Sequence, residues 1–582
     1  MRRSGSGRIP DDVTATFKSL SRRRNLMRRL SISMSLLSLF LLFSLVLLAP
    51  ARRAAAAGNV TAWPSLERQL AKDHVVVRSA LEALIYENQD FSLLRPGELK
   101  DTLGLPPWLR VWWRKAHPEM VYSASDPTGG YPHVLKEVYQ WMRTHQDFRP
   151  GLPDADVPPP LERLTVGTNL RISGAQTTPR SESDIRINFF NPSQIIAASN
   201  AISAAGTQAQ FYSGDGGATW GQTALPLVST DSFHSDPTVD WTSDGTGWAV
   251  TIGIKGNTLK LRAYKSTTAG ATWTFDNTLS GTQKNTDKEL LWADHSTTSP
   301  FKDTLYVCWH NGLPAYVNRR TASGWGTPIK VSGAESTGTA IGCNVSSNSA
   351  GDAFVFWPTT GNAKIVVAKS TTGGASWATP TVIATTFDTF DIGIPAMASR
   401  RALIYTSGAA FKDATHDNVY VAWTDLSGDA GCTAPANEPG TNAASTCKMR
   451  LWFSRSTDGG TTWSAPVKLN NQTSKNDQFN QWLGVDPSSG TVGVMYYDTV
   501  NDTTRKKTDV WFQLSTDNGA TWSAATKVTT AMTDETVAGA DSGNQYGDYN
   551  SLSGWANKFF PSWTDRRNNA KEEIWTAPIN TP

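Results

Sequence analysis

One eight-residue stretch, Ser456-Thr457-Asp458-Gly459-Gly460-Thr461-Thr462-Trp463, is written again and again in this 582-residue chain. It recurs as Ser213-Gly214-Asp215-Gly216-Gly217-Ala218-Thr219-Trp220 and as Ser515-Thr516-Asp517-Asn518-Gly519-Ala520-Thr521-Trp522. Two copies replace the acid by threonine, at Thr268 (before Trp273) and at Thr372 (before Trp377), and a worn copy survives as Thr321-Ala322-Ser323-Gly324-Trp325. Successive tryptophans are 53, 52, 52, 86 and 59 residues apart, and self-similarity near a period of about 50 marks a repeat architecture. Asp or Thr can bond the backbone two residues on, and the Gly-Gly or Asn-Gly that follows accepts positive φ. Apolar runs flank the turn, as in Leu451-Trp452-Phe453-Ser454 before it and Pro466-Val467-Lys468-Leu469 after it. Each unit therefore predicts a β-hairpin with its tip fixed by Asp and Gly and a tryptophan tucked beneath.

These turns resemble the Asp-boxes, or bacterial neuraminidase repeats, of sialidase-like β-propellers. The resemblance covers roughly residues 165–580. It implies an all-β propeller in which the box is a structural turn on the face away from the active site. Strand order places seven candidate inner strands, at Ile185, Asp236, Glu289, Ala340, Ile394, Trp482 and Gly547. Sialidases have six blades, so six and seven both stand. Ring closure would remove exposed sheet edges, with the run 164–172 as the partner of the last blade.

The segments before the propeller read differently. Residues 1–57 carry Arg22, Arg23, Arg24, Arg28 and Arg29 ahead of an uncharged run over 30–51, then Ala54 to Ala57 in sequence. That is the order of a secretory signal peptide, and the run is nearly long enough for an uncleaved membrane anchor. Either way the rest is exported: secreted, periplasmic or anchored facing outward. Residues 60–150 hold apolar residues at helical spacing, among them Leu66, Leu70, Val77, Leu81 and Leu84, then Val134, Leu135, Val138, Trp141 and Met142. They predict a small helical domain. Residues 151–163, with Pro158-Pro159-Pro160, read as a stiff linker to the propeller at 164–582.

A net charge of +3 with no basic stripe gives no case for nucleic acid. The four cysteines include no C-x-x-C pair, which argues against zinc. Cys432 and Cys447 bracket a Gly/Pro/Asn-rich insertion and are expected to be bonded in an oxidising compartment. Cys308 and Cys343 could pair between blades or stay as buried thiols.

In a propeller, the loops leading into the inner strands share one face with those between second and third strands. That rule collects acids on the box-free face and gives Asp287, Glu289, Tyr546 and Asp548 as candidate catalytic residues. Candidate substrate contacts are Arg186, Asp236, His310, Asp425, Asp498, Asp565 and Arg566. A ring of carboxylates with a few Arg, Tyr and His suits glycoside hydrolysis. It would equally hold a structural Ca²⁺, or a sugar without turnover; no other cofactor and no catalytic metal is expected. Asp425, Asp498 and Asp565 have a competing reading as turn caps. True sialidases use three separated arginines, the first in Arg-Ile-Pro, with a Tyr–Glu nucleophile pair and an Asp acid/base. Here Arg186-Ile187-Asn188 lacks the proline, Arg566 could be a second arginine, and no third is evident. Two functions follow: an exported sialidase-like glycosidase acting on extracellular glycans, or a non-catalytic propeller that binds glycan or protein.

Overall fold

The computed structural model describes residues 164–581, apart from 202–205, 334–338, 398 and 568–570. The expected leader or anchor, the helical domain and the linker lie outside the described residues.

The described chain is a seven-bladed β-propeller with two short 3₁₀ turns, Pro395–Met397 and Pro435–Asn437. Each blade is an antiparallel sheet, and in blades 1 to 6 the main strands follow chain order from the axis outward. Blade 2 shows the plan: Phe233–Trp241, Gly247–Lys255, Thr258–Ser266 and Thr274–Thr278. The inner strands of the seven blades are Asp184–Ile187, Phe233–Trp241, Thr286–Ala293, Asn344–Ser347, Thr406–Lys412, Gln478–Val485 and Ser551–Trp555. Each packs against the next, and the seventh against the first, so the ring is closed. The outer part of blade 7 comes from the beginning of the described chain. Leu170–Arg171 pairs with Glu573–Thr576, and Thr165–Val166 with Ile579–Asn580, as the ring-closure argument expects.

Three inner strands differ from the sequence reading: the fourth begins at Asn344 rather than at Ala340, which belongs to a separate short strand, Thr339–Ala340, and the fifth and seventh are displaced as well. The run at Ile394 is a 3₁₀ turn beside a small hairpin, Asp391–Ile392 with Ala402–Leu403, and the fifth inner strand lies further on at Thr406–Lys412. The seventh begins at Ser551 rather than at Gly547. The fifth and seventh strands are rich in small residues, because inner strands pack close against the neighbouring blade. A Cβ on Gly408 would come within 2.4 Å of Phe356, so the apolar signal that marks an ordinary strand is missing there.

Polar side chains stitch the inner strands together. Asp184 accepts hydrogen bonds from Thr238 Oγ1 (2.9 Å) and Val239 N (2.8 Å) of blade 2, and Asp240 accepts from Ala293 N (2.8 Å) of blade 3. Ser407 accepts from Leu483 N (3.0 Å) and Ser553 from Ile187 N (3.1 Å). Buried polar groups are tolerated here because they are bonded.

The boxes join third to fourth strands. Inner and third strands run the same way in an antiparallel blade, so the boxes share a face with the inner-strand ends. Ser213 Oγ accepts from Gly217 N (2.9 Å), Asp215 accepts from Thr219 N (2.9 Å), and Trp220 Nε1 donates to Gly217 O (3.0 Å). Gly217 has φ of 91°, and a Cβ there would meet Phe560 of blade 7 at 2.6 Å. Each box thus fixes its own tip and docks it on a neighbouring blade. Both cysteine pairs are bonded: Cys432–Cys447 closes the insertion of blade 5, and Cys308–Cys343 ties blade 3 to blade 4.

Candidate functional site

The box-free mouth of the channel is built from the lead-ins to the inner strands. Five of these residues adopt left-handed backbone without being glycine: Glu182 (φ 54°), Asp236 (φ 54°), Lys288 (φ 55°), Asn480 (φ 45°) and Gln545 (φ 44°). Asp236 and Lys288 sit where the register slips between first and second strands, at Ser235/Thr238 and at Asp287/Leu290. Bulges re-aim side chains, and strained backbone gathers where a site needs it. Here they turn Asp236 and Lys288 toward the axis.

Lys288 is the centre of the cluster. Its Nζ lies 3.1 Å from Asp236 and 3.7 Å from Glu182, and it contacts Asp548 directly. Arg400, from the connection before blade 5, also contacts Asp548 and lies 3.4 Å from Glu182. Asn200 binds both partners, donating to Glu182 and accepting from Asp236 N (2.8 Å). Where these carboxylates converge there is therefore an ammonium group. Asp287 faces His310, 3.7 Å away, at the rim.

The acids are driven to different protonation states. Burial, opposed by Lys288, raises the Glu182 pKa to about 8. Burial, then Asp236, pushes Glu289 well above the usual carboxylate range, and neither of its oxygens has a hydrogen-bond partner in the protein. Asp287, with 37 % of its side chain open, is raised to about 6, by loss of water in the funnel wall and then by Asp236. Asp548 goes the other way: burial would raise it, but Lys288 and Arg400 outweigh burial and hold it low. His310 is pushed down to about 4 by burial and is neutral at pH 7. Beside the ion cluster a cleft of about 20 Å³, the space of one water, lies among Glu289, Tyr405, Tyr549 and Trp482. Tyr549 donates to Pro237 O (3.1 Å), whereas the Tyr405 hydroxyl is buried without a partner.

Of the residues singled out from sequence, Asp236, Asp287, Glu289, Asp548 and His310 come together here. The others do not. Tyr546 is wholly buried against Phe479 and Tyr497, its hydroxyl 3.3 Å from Thr508. Arg186 is paired with Asp184 (3.0 Å) and Ser551 (2.9 Å) deeper in the channel. Arg566 is buried 3.4 Å from Glu572, which also accepts from Asp541 N. Asp425 caps a turn by accepting from Phe387 N, Asp388 N and Leu426 N. Asp498 accepts from Asn476, Gln478 and Val500 N, and Asp565 from Trp563 and Arg567. The capping reading of those three acids is the one the geometry matches. Glu182, Arg400, Tyr405 and Tyr549 are site residues that strand order alone did not select; Lys288, which it places at this mouth, was not among the candidate catalytic or substrate-binding residues.

No family profile matches the chain, and no curated protein matches it. Among solved structures it is similar to the BP39L lectin from Burkholderia pseudomallei, at 13% identity over 70% of this chain and 100% of that one, TM-score 0.42. It is similar also to the NanB sialidase from Streptococcus pneumoniae, at 9% identity over 62% and 69%, TM-score 0.37. A third similar structure is the α-L-arabinofuranosidase Arb93A from Fusarium graminearum, at 11% identity over 71% and 98%, TM-score 0.38. Each is a likeness of chain trace.

Proposed function

We propose that the protein is an exported glycoside hydrolase whose active site is the box-free mouth, and that it acts on an uncharged sugar of an extracellular glycan. The observation that carries this reading is the cluster of carboxylates held in unlike protonation states on strained backbone around Lys288. Environments that push acids apart in pKa are how one site supplies both acid and base. Asp287, open to solvent with a pKa near 6, gives its proton to the leaving glycosidic oxygen. As the C–O bond breaks, water adds its oxygen to the anomeric carbon and passes its proton to Asp236. Ionised Asp548 faces the positive charge that develops on the sugar, and Glu289, held protonated, donates a hydrogen bond to a hydroxyl.

The same geometry argues against a sialoside. Gripping a carboxylate takes a cation with charge to spare, and Lys288 and Arg400 are each already matched by acids. Bonded disulfides accord with export. A binding propeller without turnover is the second reading, favoured by the same ion pairs, which hold Asp236 and Asp548 in place. The deciding measurement is release from a panel of fluorogenic glycosides, sialosides included, by the full chain and by Asp287→Asn. Turnover of a neutral glycoside that falls about 10²–10⁴-fold in the variant is expected. Silence of the folded protein across the neutral panel would leave the binding reading.

A further inference from the structure

At the opposite, box-side end, the inner strands close around a much larger space. This chamber of about 380 Å³ is lined by Phe189, Trp292, His295, Phe411, Trp482 and Trp555, with serine, threonine and asparagine side chains around them. Its volume is at the lower end of small-molecule sites, about 300–1,000 Å³. The rings are held before any ligand arrives. Trp555 stacks on Phe189 at 5.2 Å, and Phe189 and Trp292 meet the His295 ring edge-on at 4.3 and 4.7 Å. Trp292 Nε1 donates to Ser347 Oγ at 3.0 Å.

The charged groups of the wall are already matched. Arg186 pairs with Asp184 at 3.0 Å, Lys412 with Asp417 at 2.6 Å, and His295 Nε2 with Asp240 at 2.7 Å. Asp294 accepts from Ser299 Oγ (2.6 Å) and Ser296 N (3.2 Å). Polar capacity is nevertheless left over: His295 Nδ1 and Asn348 Nδ2, just under the wall, have no protein partner, and buried groups seldom stay so. Fixed aromatic faces, hydroxyl and amide neighbours, and cancelled charge match a ring with one apolar face and a rim of hydroxyls.

We infer that the box-side chamber is a second carbohydrate site, which holds a neutral sugar ring by stacking on Trp292 and Trp555 and performs no chemistry on it. It shares no acid with the cluster at the other mouth, and it stands whether or not that cluster turns over glycosides. Isothermal titration of the full chain with neutral gluco-, manno- and xylo-oligosaccharides tests it, on the Asp287→Asn background so that no probe is consumed. At least one probe is expected to bind, and Trp555→Ala to weaken it about tenfold, the scale of one lost aromatic contact. Trp555→Phe should retain most of the affinity, which separates stacking from misfolding, and Phe411→Ala gives a second folded variant. The inference is overturned if no neutral oligosaccharide binds the folded chain. It is equally overturned if binding is unmoved by both alanine variants, or if an apolar dye or peptide fills the chamber and no saccharide displaces it.

Discussion

The two mouths of the channel are made by the same seven inner strands and share almost no chemistry. At their beginnings lie Glu182, Asp236, Lys288, Arg400 and Asp548, charged, bulged and in part strained. At their ends lie aromatic rings and matched ion pairs. The difference follows from what joins the blades. Inner strands end in connections to their own second strands that are mostly short, the longest being 294–304 in blade 3, and rings and capping side chains gather there. They begin from connections between blades, such as 386–405 and 528–550, where loops of free length can deliver an arginine or an acid to the axis.

The largest expected effect comes from removing the charge at the centre of the acidic mouth. Lys288→Met leaves Glu182, Asp236 and Asp548 beside each other with Arg400 as the remaining cation. Losing one partner of a buried ionic cluster costs about 3–5 kcal/mol. The matching change at the other mouth, Lys412→Met, removes a pair with about a third of each side chain exposed and should cost about 0–1 kcal/mol. Urea denaturation of both variants checks the contrast. Equal losses would mean that the mouths are not as different as their geometry.

A smaller effect separates the mouths by pH. Folded Glu182 titrates near 8 against an ordinary 4.5, so across that window the folded state holds a proton that the unfolded state has released. Its contribution is full at low pH and is lost as pH rises through about 8. Buried His234 and His310, both pushed down to about 4, act in the opposite sense and only below their ordinary 6.5. The melting temperature should therefore fall between pH 6.5 and 8.5, and Glu182→Gln should flatten that slope. A slope unchanged in the variant would place the titration elsewhere. With Asp287 as proton donor, turnover should also decline as pH rises above about 6.

How far these mouths could be read from sequence depended on which repeat signal survived near the axis. The boxes were legible because Asp, Gly and Trp each have one job in a turn, and the acids at 236, 287, 289 and 548 followed from strand order. Arg400 was not, because it stands in a connection whose Ile394 and Met397 imitate an inner strand, while the true one, Thr406–Lys412, is small and polar where it crowds Phe356. Lys288 and Glu182 owe their direction to positive φ at residues that are not glycine, and composition does not announce that. Tyr546 had the right neighbour in sequence but turns into the seam between blades 6 and 7, leaving Tyr405 and Tyr549 at the cleft.

The smallest expected effect lies in the boxes themselves, and it tests whether the box-side face is scaffold outside its chamber. Asp458 accepts from Thr461 N (3.1 Å), Thr462 N (2.8 Å), Thr462 Oγ1 (2.6 Å) and Ser456 Oγ (2.7 Å). Thr372, in the same place in blade 4, offers one oxygen, which takes Ser376 N at 2.9 Å and shares a proton with Ser376 Oγ at 3.0 Å. Asp458→Ala should therefore cost about 1 kcal/mol, the usual loss for a local side-chain cap, and Thr372→Ala less. The Asp458 carboxyl is held near 2, mainly by Thr462. A depressed pKa gives stability that is present above the ordinary 3.8 and is lost as pH falls toward 2. The gap between wild type and Asp458→Ala should thus narrow from pH 7 to pH 3, while the Thr372→Ala gap stays constant, as guanidinium denaturation at the two pH values would show. Glycoside turnover and saccharide binding should be untouched in both folded variants. Loss of either at an unchanged melting temperature would make the boxes part of a working surface and reverse the assignment of the two faces.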